Sequence, residues 1–230
     1  ECSPEAVSRQ LEQSLERLQT DHLDLYCLHR DDIAVPVSEW IDALNREVDT
    51  GRIKLFGGSN WTAERIDEAN AYAAANSLQG FSLLSNNFSL ARMEAPVWPG
   101  CLASSTDDFR NWHGAHNFPL LPWSAQARGF FLDWEGKGLA ATRHGADPTD
   151  DEMQRVWGSE ENLERRRRAF QLAEEMGVSA IQIAFAYVVN QPFPCCALVG
   201  PRNPMQLQDS LDAAQISLSE EQVNWLDLRD

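Results

Sequence analysis

Apolar positions along this chain follow two rhythms that take turns. Val7, Leu11, Leu15 and Leu18 recur at helical spacing and give one apolar face, behind Ser3 as a cap and Pro4 at the first helical position. The next run, Leu23-Asp24-Leu25-Tyr26-Cys27-Leu28-His29, is short, nearly continuous in apolar character and ends in polar residues, as a parallel strand buried on both faces does. Trp40, Ile41 and Leu44 mark a helix ending near Gly51, and Ile53-Lys54-Leu55-Phe56-Gly57-Gly58 a strand. Thr62 caps a helix to about Ser77, with Glu64 in its first turn, where the dipole favours a carboxylate. Phe81 to Ser85 reads as a strand, Asp107 to His113 as a helix, and Phe118-Pro119-Leu120-Leu121-Pro122-Trp123 as a less regular strand. Gly129 to Ser159, rich in Gly, Trp and charge, reads as a long loop. Helices are expected from Glu160 to Met176, stopped by Gly177, and from Ser179, which forms a capping box with Gln182. Cys195 to Val199 reads as a strand and Pro204 to Ala213 as a helix, and a second capping box, Ser219 with Gln222, opens a last short helix.

Strand and helix alternate about five times, which is the pattern of βαβ units and a parallel sheet. The expectation is five parallel strands, at about 23–28, 53–57, 81–85, 119–123 and 196–199, with helices on one side. Gly-rich nucleotide fingerprints of the GxGxxG or GxxxxGK[ST] type are absent, as are internal repeats and low-complexity segments. The run Arg165 to Arg168 points all round its helix axis and cannot make one patch; it reads as a solvated face paired with Glu160, Glu161 and Glu164.

Composition narrows the class. A chain of 230 residues suffices for one single-core domain, 1–230, while a complete α/β barrel usually needs about 250. No apolar run reaches the length of about 18 residues that a membrane span needs. The start, Glu1-Cys2-Ser3-Pro4, lacks the basic flank and apolar core of a secretory signal and has no initiator Met, so it reads as a boundary. The net charge of -16 repels nucleic acid and anionic membranes, which excludes both as expected partners. The same field repels a phosphorylated ligand, so a phosphate site here must gather local positive charge or backbone N–H donors. Cys2, Cys27, Cys101, Cys195 and Cys196 match no zinc or CxxC spacing and read as reduced thiols, with Cys27 and the Cys195-Cys196 pair in apolar strand-like runs. No metal site and a cytoplasmic location are expected.

In a β/α barrel, chemistry gathers at the C-terminal ends of strands. Here those ends carry His29-Arg30-Asp31-Asp32, Ser59-Asn60-Trp61, Ser85-Asn86-Asn87-Phe88, Trp123-Ser124-Ala125-Gln126 and Gly200-Pro201-Arg202-Asn203. The segment Ser14-Leu15-Glu16-Arg17-Leu18, then Asp21, Asp24-Leu25-Tyr26 and Leu28-His29-Arg30, resembles the aldo-keto reductase signature around its active-site His. Gly51 to Ile53 with Gly57-Gly58-Ser59-Asn60 resembles the next signature, and Gly200, Arg202, Gln206-Leu207 and Ala213 resemble the C-terminal cofactor motif. The resemblance runs through essentially the whole chain in the family's order.

That resemblance implies a TIM (β/α)8 barrel seen in part, strands 4–8 of eight, and NAD(P)H-dependent interconversion of an aldehyde or ketone with an alcohol by direct hydride transfer. It implies His29 as the catalytic residue that hydrogen-bonds the substrate carbonyl oxygen. Ser59, Asn60 and Ser85 would bind the nicotinamide carboxamide, although Ser85 stands where the family often has a longer Gln. Trp123 would stack on the nicotinamide ring. Ser124, Ala125, Gln126, Ala127 and Arg128 would wrap the pyrophosphate, and Gly200, Arg202, Gln206, Asp209 and Ser210 would hold the adenosine end. Some members carry Lys at Gly200 and Arg at Gln206 for the 2′-phosphate, so the preference for NADP over NAD rests on Arg202.

Each assignment has a plainer rival: a surface His29, a Ser-Asn turn, a core Trp123, an Arg202 paired with Asp209. Trp61, Trp98, Trp112 and Trp134 lie in or near loops, and Trp61 is expected to line a substrate pocket of unspecified carbonyl preference. The family's Asp, Tyr and Lys belong to the first third of the barrel. None of Tyr26, Tyr72, Tyr187, Lys54 or Lys137 stands at a matching position, so these 230 residues alone are expected to be inactive. The alternative function is a cofactor-binding regulatory barrel acting through a partner protein. A Schiff-base aldolase is set aside because Lys54 sits early in its strand.

Overall fold

Two glycines set how closely the first strands pack. A Cβ on Gly57 would lie 2.6 Å from Leu83 Cδ1 and 2.8 Å from the Leu83 carbonyl oxygen, and one on Gly58 would lie 2.8 Å from the Trp61 ring. Only a residue without a side chain lets these backbones meet. This is a computed structural model that describes residues 2–133 and 150–229, and they fall into two compact units, Glu1–Ser85 and Asn86–Asp230.

In the first unit, β1 (Leu23–Leu28) and β2 (Ile53–Ser59) pair in parallel from Leu23↔Ile53 to Leu28↔Gly58, and β3 (Leu84–Ser85) pairs in parallel with β2. The sheet order is β1-β2-β3. β3 is shorter than the expected 81–85, although the Ser82 N–H already donates to the Phe56 carbonyl at 2.9 Å. Helices α1 (Pro4–Leu18), α2 (Val37–Asp49) and α3 (Ala63–Ala75) alternate with the strands. Ser3 is the N-cap of α1 but makes no side-chain bond to the helix backbone, whereas Thr62 accepts the Arg65 N–H at 3.3 Å. Leu11, Ile41, Leu44, Phe56, Ile66 and Leu84 are fully buried, each such burial favouring the fold by about 1.5–3 kcal/mol.

Among the described residues of the second unit, parallel pairing takes the form of isolated bridges, Asn87↔Ala103, Asn87↔Trp123 and Leu120↔Cys195. The Leu120 N–H donates to the Pro194 carbonyl, the Cys196 N–H to Leu120, and the Leu198 N–H to Pro122, at 2.9, 2.9 and 3.0 Å. The strands expected at 119–123 and 196–199 are therefore paired in the expected direction without forming regular strands. Pro119, Pro122 and Pro194 each lack the N–H that a ladder needs. Cys196, read as part of a buried run, is exposed, and all five thiols are free.

The described residues of this unit also form the helices α4 (Asp107–His116), α5 (Asp150–Trp157), α6 (Glu160–Met176), α7 (Ala180–Val189), α8 (Pro204–Ala213) and α9 (Glu220–Leu226). α5 lies inside the stretch read as a loop. Its Met153, Val156 and Trp157 follow i, i+3, i+4 spacing and are all buried, a helical signal masked by the polar residues around it. Both capping boxes form as expected, Ser179 with Gln182 and Ser219 with Gln222, and Gly177 ends α6 at φ 68°. No single helix among the described residues is long and apolar enough to cross a membrane.

The arginine run corrects one expectation. The four side chains do point apart, but they are not one solvated face. Arg165 is buried and bonds Asn162 Oδ1 at 3.2 Å, while Arg166 donates to the carbonyls of Phe130 and Leu132. Arg168 donates to the Trp225 carbonyl at 2.6 Å, and Arg167 is the exposed one of the four. Arg167 and Arg168 both bond Glu164 and hold its carboxyl down to about 2. Arg165 makes the expected pair with Glu161, at 3.5 Å, and also belongs to a cluster around the buried carboxylate of Asp227, which Arg92, Arg110, Arg165 and Arg229 approach at 3.2, 2.6, 3.6 and 2.8 Å.

Candidate functional site

The first unit presents its polar groups where β1, β2 and β3 end. His29 follows β1 directly and is exposed. Asn60 follows β2 in the left-handed region, at φ 60°, a conformation that Asn tolerates better than most residues. Its side-chain amide donates to Ser59 Oγ at 3.1 Å and to the His29 carbonyl at 3.4 Å. The Ser85 carbonyl accepts from both Ser59 Oγ, at 2.7 Å, and the Asn60 N–H, at 3.3 Å. The three residues expected to hold a carboxamide are thus brought together, and Ser85 contributes to that grouping through its backbone.

Trp61 is placed differently from expectation. It is fully buried, edge-on to Trp40 at 6.3 Å, tilted against Phe81 at 4.9 Å, and lies under the Arg65 guanidinium at 5.3 Å. Its ring fills the core of the first unit and is not presented to a pocket. Trp112 lies on α4 among Phe109, His113 and Phe118. Trp134 and Lys137 lie outside the described residues.

The second unit contains a cleft of about 400 Å³. Ser124, Ala125, Gln126 and Arg128 line one part of it, and Gly200, Arg202, Gln206, Asp209 and Ser210 another. These are the residues expected at the pyrophosphate and the adenosine end, gathered from segments some 75 positions apart in sequence. Ala127 is buried behind the loop, and Trp123 is not part of the lining. An apolar wall of Leu132, Met153, Ile181, Leu198 and Val199 completes the cleft. Sequence reasoning missed Met153 and Ile181; the helical spacing of α5 was the available signal for the first.

The loop that closes this cleft is strained. Ser124, Ala127 and Arg128 have φ of 53°, 46° and 51°, followed by Gly129 at 96°, and each non-Gly residue so placed costs on the order of 1–3 kcal/mol. The Ala127 N–H to Ser124 carbonyl bond (2.8 Å) and the Gly129 N–H to Gln126 carbonyl bond (3.1 Å) hold the turn. Arg128 lies over the Trp98 ring at 5.4 Å and pairs with Glu152 at 3.1 Å, while Trp98 tilts against Trp123 at 6.1 Å. Across the cleft, α8 begins. Asn203 Oδ1 accepts the Gln206 N–H at 2.9 Å, and Gln206 Oε1 accepts the Arg202 N–H at 2.8 Å, which fixes the backbone of Arg202 at the positive end of the helix. An added Cβ at Gly200 meets nothing within 4 Å. Cationic side chains, amide groups and a helix N-terminus form a donor set suited to a dinucleotide's phosphates.

The tyrosines have other work. Tyr187 is fully buried, bonded to Arg110 Nη1 at 2.7 Å, and burial pushes its phenol well up. Tyr72 Oη donates to Asp42 at 3.0 Å, and Tyr26 is raised by burial within β1. Lys54 pairs with Asp24 on the surface at 2.6 Å.

A model of the Aldo/keto reductase family matches residues 1–228. This chain belongs to the aldo/keto reductase family. Norsolorinic acid reductase of Aspergillus flavus is 29% identical over 216 residues, which cover 93% of this family member and 50% of that relative. The uncharacterized oxidoreductase YrpG of Bacillus subtilis is 28% identical over 220 residues, covering 96% and 62%. Glycerol dehydrogenase AKR11B4 from Gluconobacter oxydans superposes with a TM-score of 0.73 at 23% identity, over 99% of this chain and 64% of that one. The α/β fold with its parallel sheet is therefore that of aldo/keto reductase barrels. This aldo/keto reductase chain spans between 50% and 62% of the length of those two curated relatives.

Proposed function

We propose that these 230 residues are strands 4–8 of one (β/α)8 barrel domain, and that the whole protein interconverts an aldehyde or ketone with an alcohol. A nicotinamide dinucleotide, when bound, supplies or accepts the hydride. The observation that carries this reading is the cleft of the second unit, where two distant segments deliver the residues suited to a pyrophosphate and an adenosine phosphate. Within it, Ser124 to Arg128 hold the pyrophosphate and Gln206, Asp209 and Ser210 hold the adenosine. Arg202 meets the 2′-phosphate, which makes NADP the preferred form and NAD the weaker one. Ser59, Asn60 and Ser85 orient the carboxamide, Trp123 packs on the ring, and His29 donates a hydrogen bond to the substrate carbonyl oxygen.

The general acid is supplied from outside these residues. Tyr187 is occupied by Arg110 and Tyr72 by Asp42, which supports the reading that a pure 230-residue sample turns over no carbonyl substrate above background. The exposed Leu198 and Val199, on a segment whose sequence is that of a buried strand, support the partial-barrel reading. Free thiols suit a reducing compartment such as the cytoplasm.

The test is binding of NADPH and NADH, read by fluorescence quenching, to a chain that includes these residues and to its Arg202→Ala variant. A charge-assisted pair is worth roughly 1.5–3 kcal/mol, so NADPH should weaken about 10- to 150-fold at low salt and NADH little. An unchanged ratio removes the preference for NADP. No binding of either cofactor to the unaltered protein removes the oxidoreductase reading itself.

A further inference from the structure

Arg65 stands in the first turn of α3, the end of a helix where the macrodipole disfavours a cation. What it reaches explains its place. Its guanidinium forms a two-pronged pair with Asp31, Nε to Oδ2 at 2.8 Å and Nη2 to Oδ1 at 2.9 Å, and Nη2 also donates to the Val35 carbonyl at 3.0 Å. Both side chains are largely buried, and the Trp61 ring supports the guanidinium from below. Only a planar fork can make all of these contacts at once.

Asp31 and Val35 belong to the irregular segment that follows β1 and begins with His29. That segment is fastened internally by an Asp32 turn in which Oδ1 accepts the Ala34 N–H and the carbonyl accepts the Val35 N–H, both at 3.0 Å, and the Arg30 carbonyl accepts from Cys2 Sγ at 3.5 Å. Its fastenings to β2 and α3 come from six consecutive residues: Asn60 at the His29 carbonyl, and Arg65 at Asp31 and Val35. The stretch 60–65 therefore holds the backbone that carries His29, and it starts with a residue that we assign to the carboxamide.

We infer that Asp31 and Arg65 are positioning residues that set His29 relative to Ser59 and Asn60. This rests on the proposed role of His29, and the experiment separates the two. The ring signals of His29 are followed by NMR in a chain that includes these residues, assigned by loss in His29→Gln, together with hydrogen exchange at the Ala34 and Val35 amides. In Arg65→Met and Asp31→Asn the His29 signals should shift or broaden, and exchange at both amides should rise at least tenfold. Arg65→Lys, which keeps the charge and loses the fork, should fall between them and the parent, and covers the case in which the other variants fail to fold. The swap Asp31→Arg with Arg65→Asp should restore the His29 signals in part. A lowered melting temperature with unchanged His29 signals and unchanged exchange would reduce the pair to a merely structural one. Failure of the cofactor-binding test above with the His29 response intact would remove the functional reading and leave the positioning.

Discussion

Both units bury arginine, and they neutralise it in opposite ways. In the first, Arg65 meets the Asp31 carboxylate face to face with two bonds, at the edge of the core, with the exposed Glu68 farther off at 3.6 Å. In the second, Arg92, Arg110, Arg165 and Arg229 converge on Asp227, and Arg110 also bonds Tyr187 Oη and Gln191 Oε1 at 2.7 and 2.9 Å. The first arrangement ties one short segment to one helix. The second joins α4, α6, the segment of Arg92 and the chain beyond α9 through a single acidic group, so its loss is felt in several segments at once. Arg229 also meets Asp107 at 2.6 Å and Arg165 meets Glu161 at 3.5 Å, so the weight of Asp227 falls on Arg92 and Arg110.

That contrast makes graded predictions. Asp227→Asn should have the largest effect, about 3–5 kcal/mol in denaturant unfolding, because it takes from the buried Arg110 the carboxylate that it meets at 2.6 Å. A loss of under 1 kcal/mol would mean that the hub is not where the second unit's stability resides. Asp31→Asn should cost less, about 1.5–3 kcal/mol, since one partly buried partner remains. An equal loss at both positions would erase the distinction between clamp and hub.

A third, smaller effect is pH-dependent. His113 is fully buried; burial lowers its proton affinity, and the bond to the Phe118 carbonyl at 2.9 Å only partly offsets this. The unfolded chain takes up a proton near pH 6.5 while the folded one resists it, so the contribution is complete above about 6.5 and is lost as pH falls below it. The gap in unfolding midpoint between the parent and His113→Gln should narrow from pH 7.5 to pH 5.5; a constant gap would show that His113 does not titrate differently on folding. Last, Lys54→Met breaks a pair that is mostly in solvent, 59% and 82% exposed, and should leave the midpoint unchanged. A measurable drop would show that exposed pairs belong in the comparison after all.

What could be read from the sequence divides along physical lines. β1 at 23–28, helices α6 and α8, and both capping boxes were legible because each is written in neighbouring residues. The strands expected at 119–123 and 196–199 were legible in direction, and Pro119 and Pro122 marked the irregularity of the first, whereas nothing within 196–199 marked that of the second. Trp61 was assigned to a pocket because it follows a strand end, whereas Trp40 and Phe81, which bury it, lie about 20 residues to either side. Arg165 looked like a surface charge because its partner Asp227 is 62 positions away and pairing at that range has no local signature. The cleft residues were found by resemblance to a family pattern. Their gathering into one hollow is a tertiary fact that no local rhythm encodes.

Gly200 shows how freely one feature of such a hollow can change. Its φ is outside the left-handed range and a side chain there would touch nothing within 4 Å, so the fold makes no demand on the position. Under the proposed cofactor reading, a lysine at this point would add a phosphate contact without removing any packing. Selection for cofactor and selection for folding then act on separate residues, and preference between the two dinucleotides can drift along a lineage, or be redesigned, while the scaffold stays as it is.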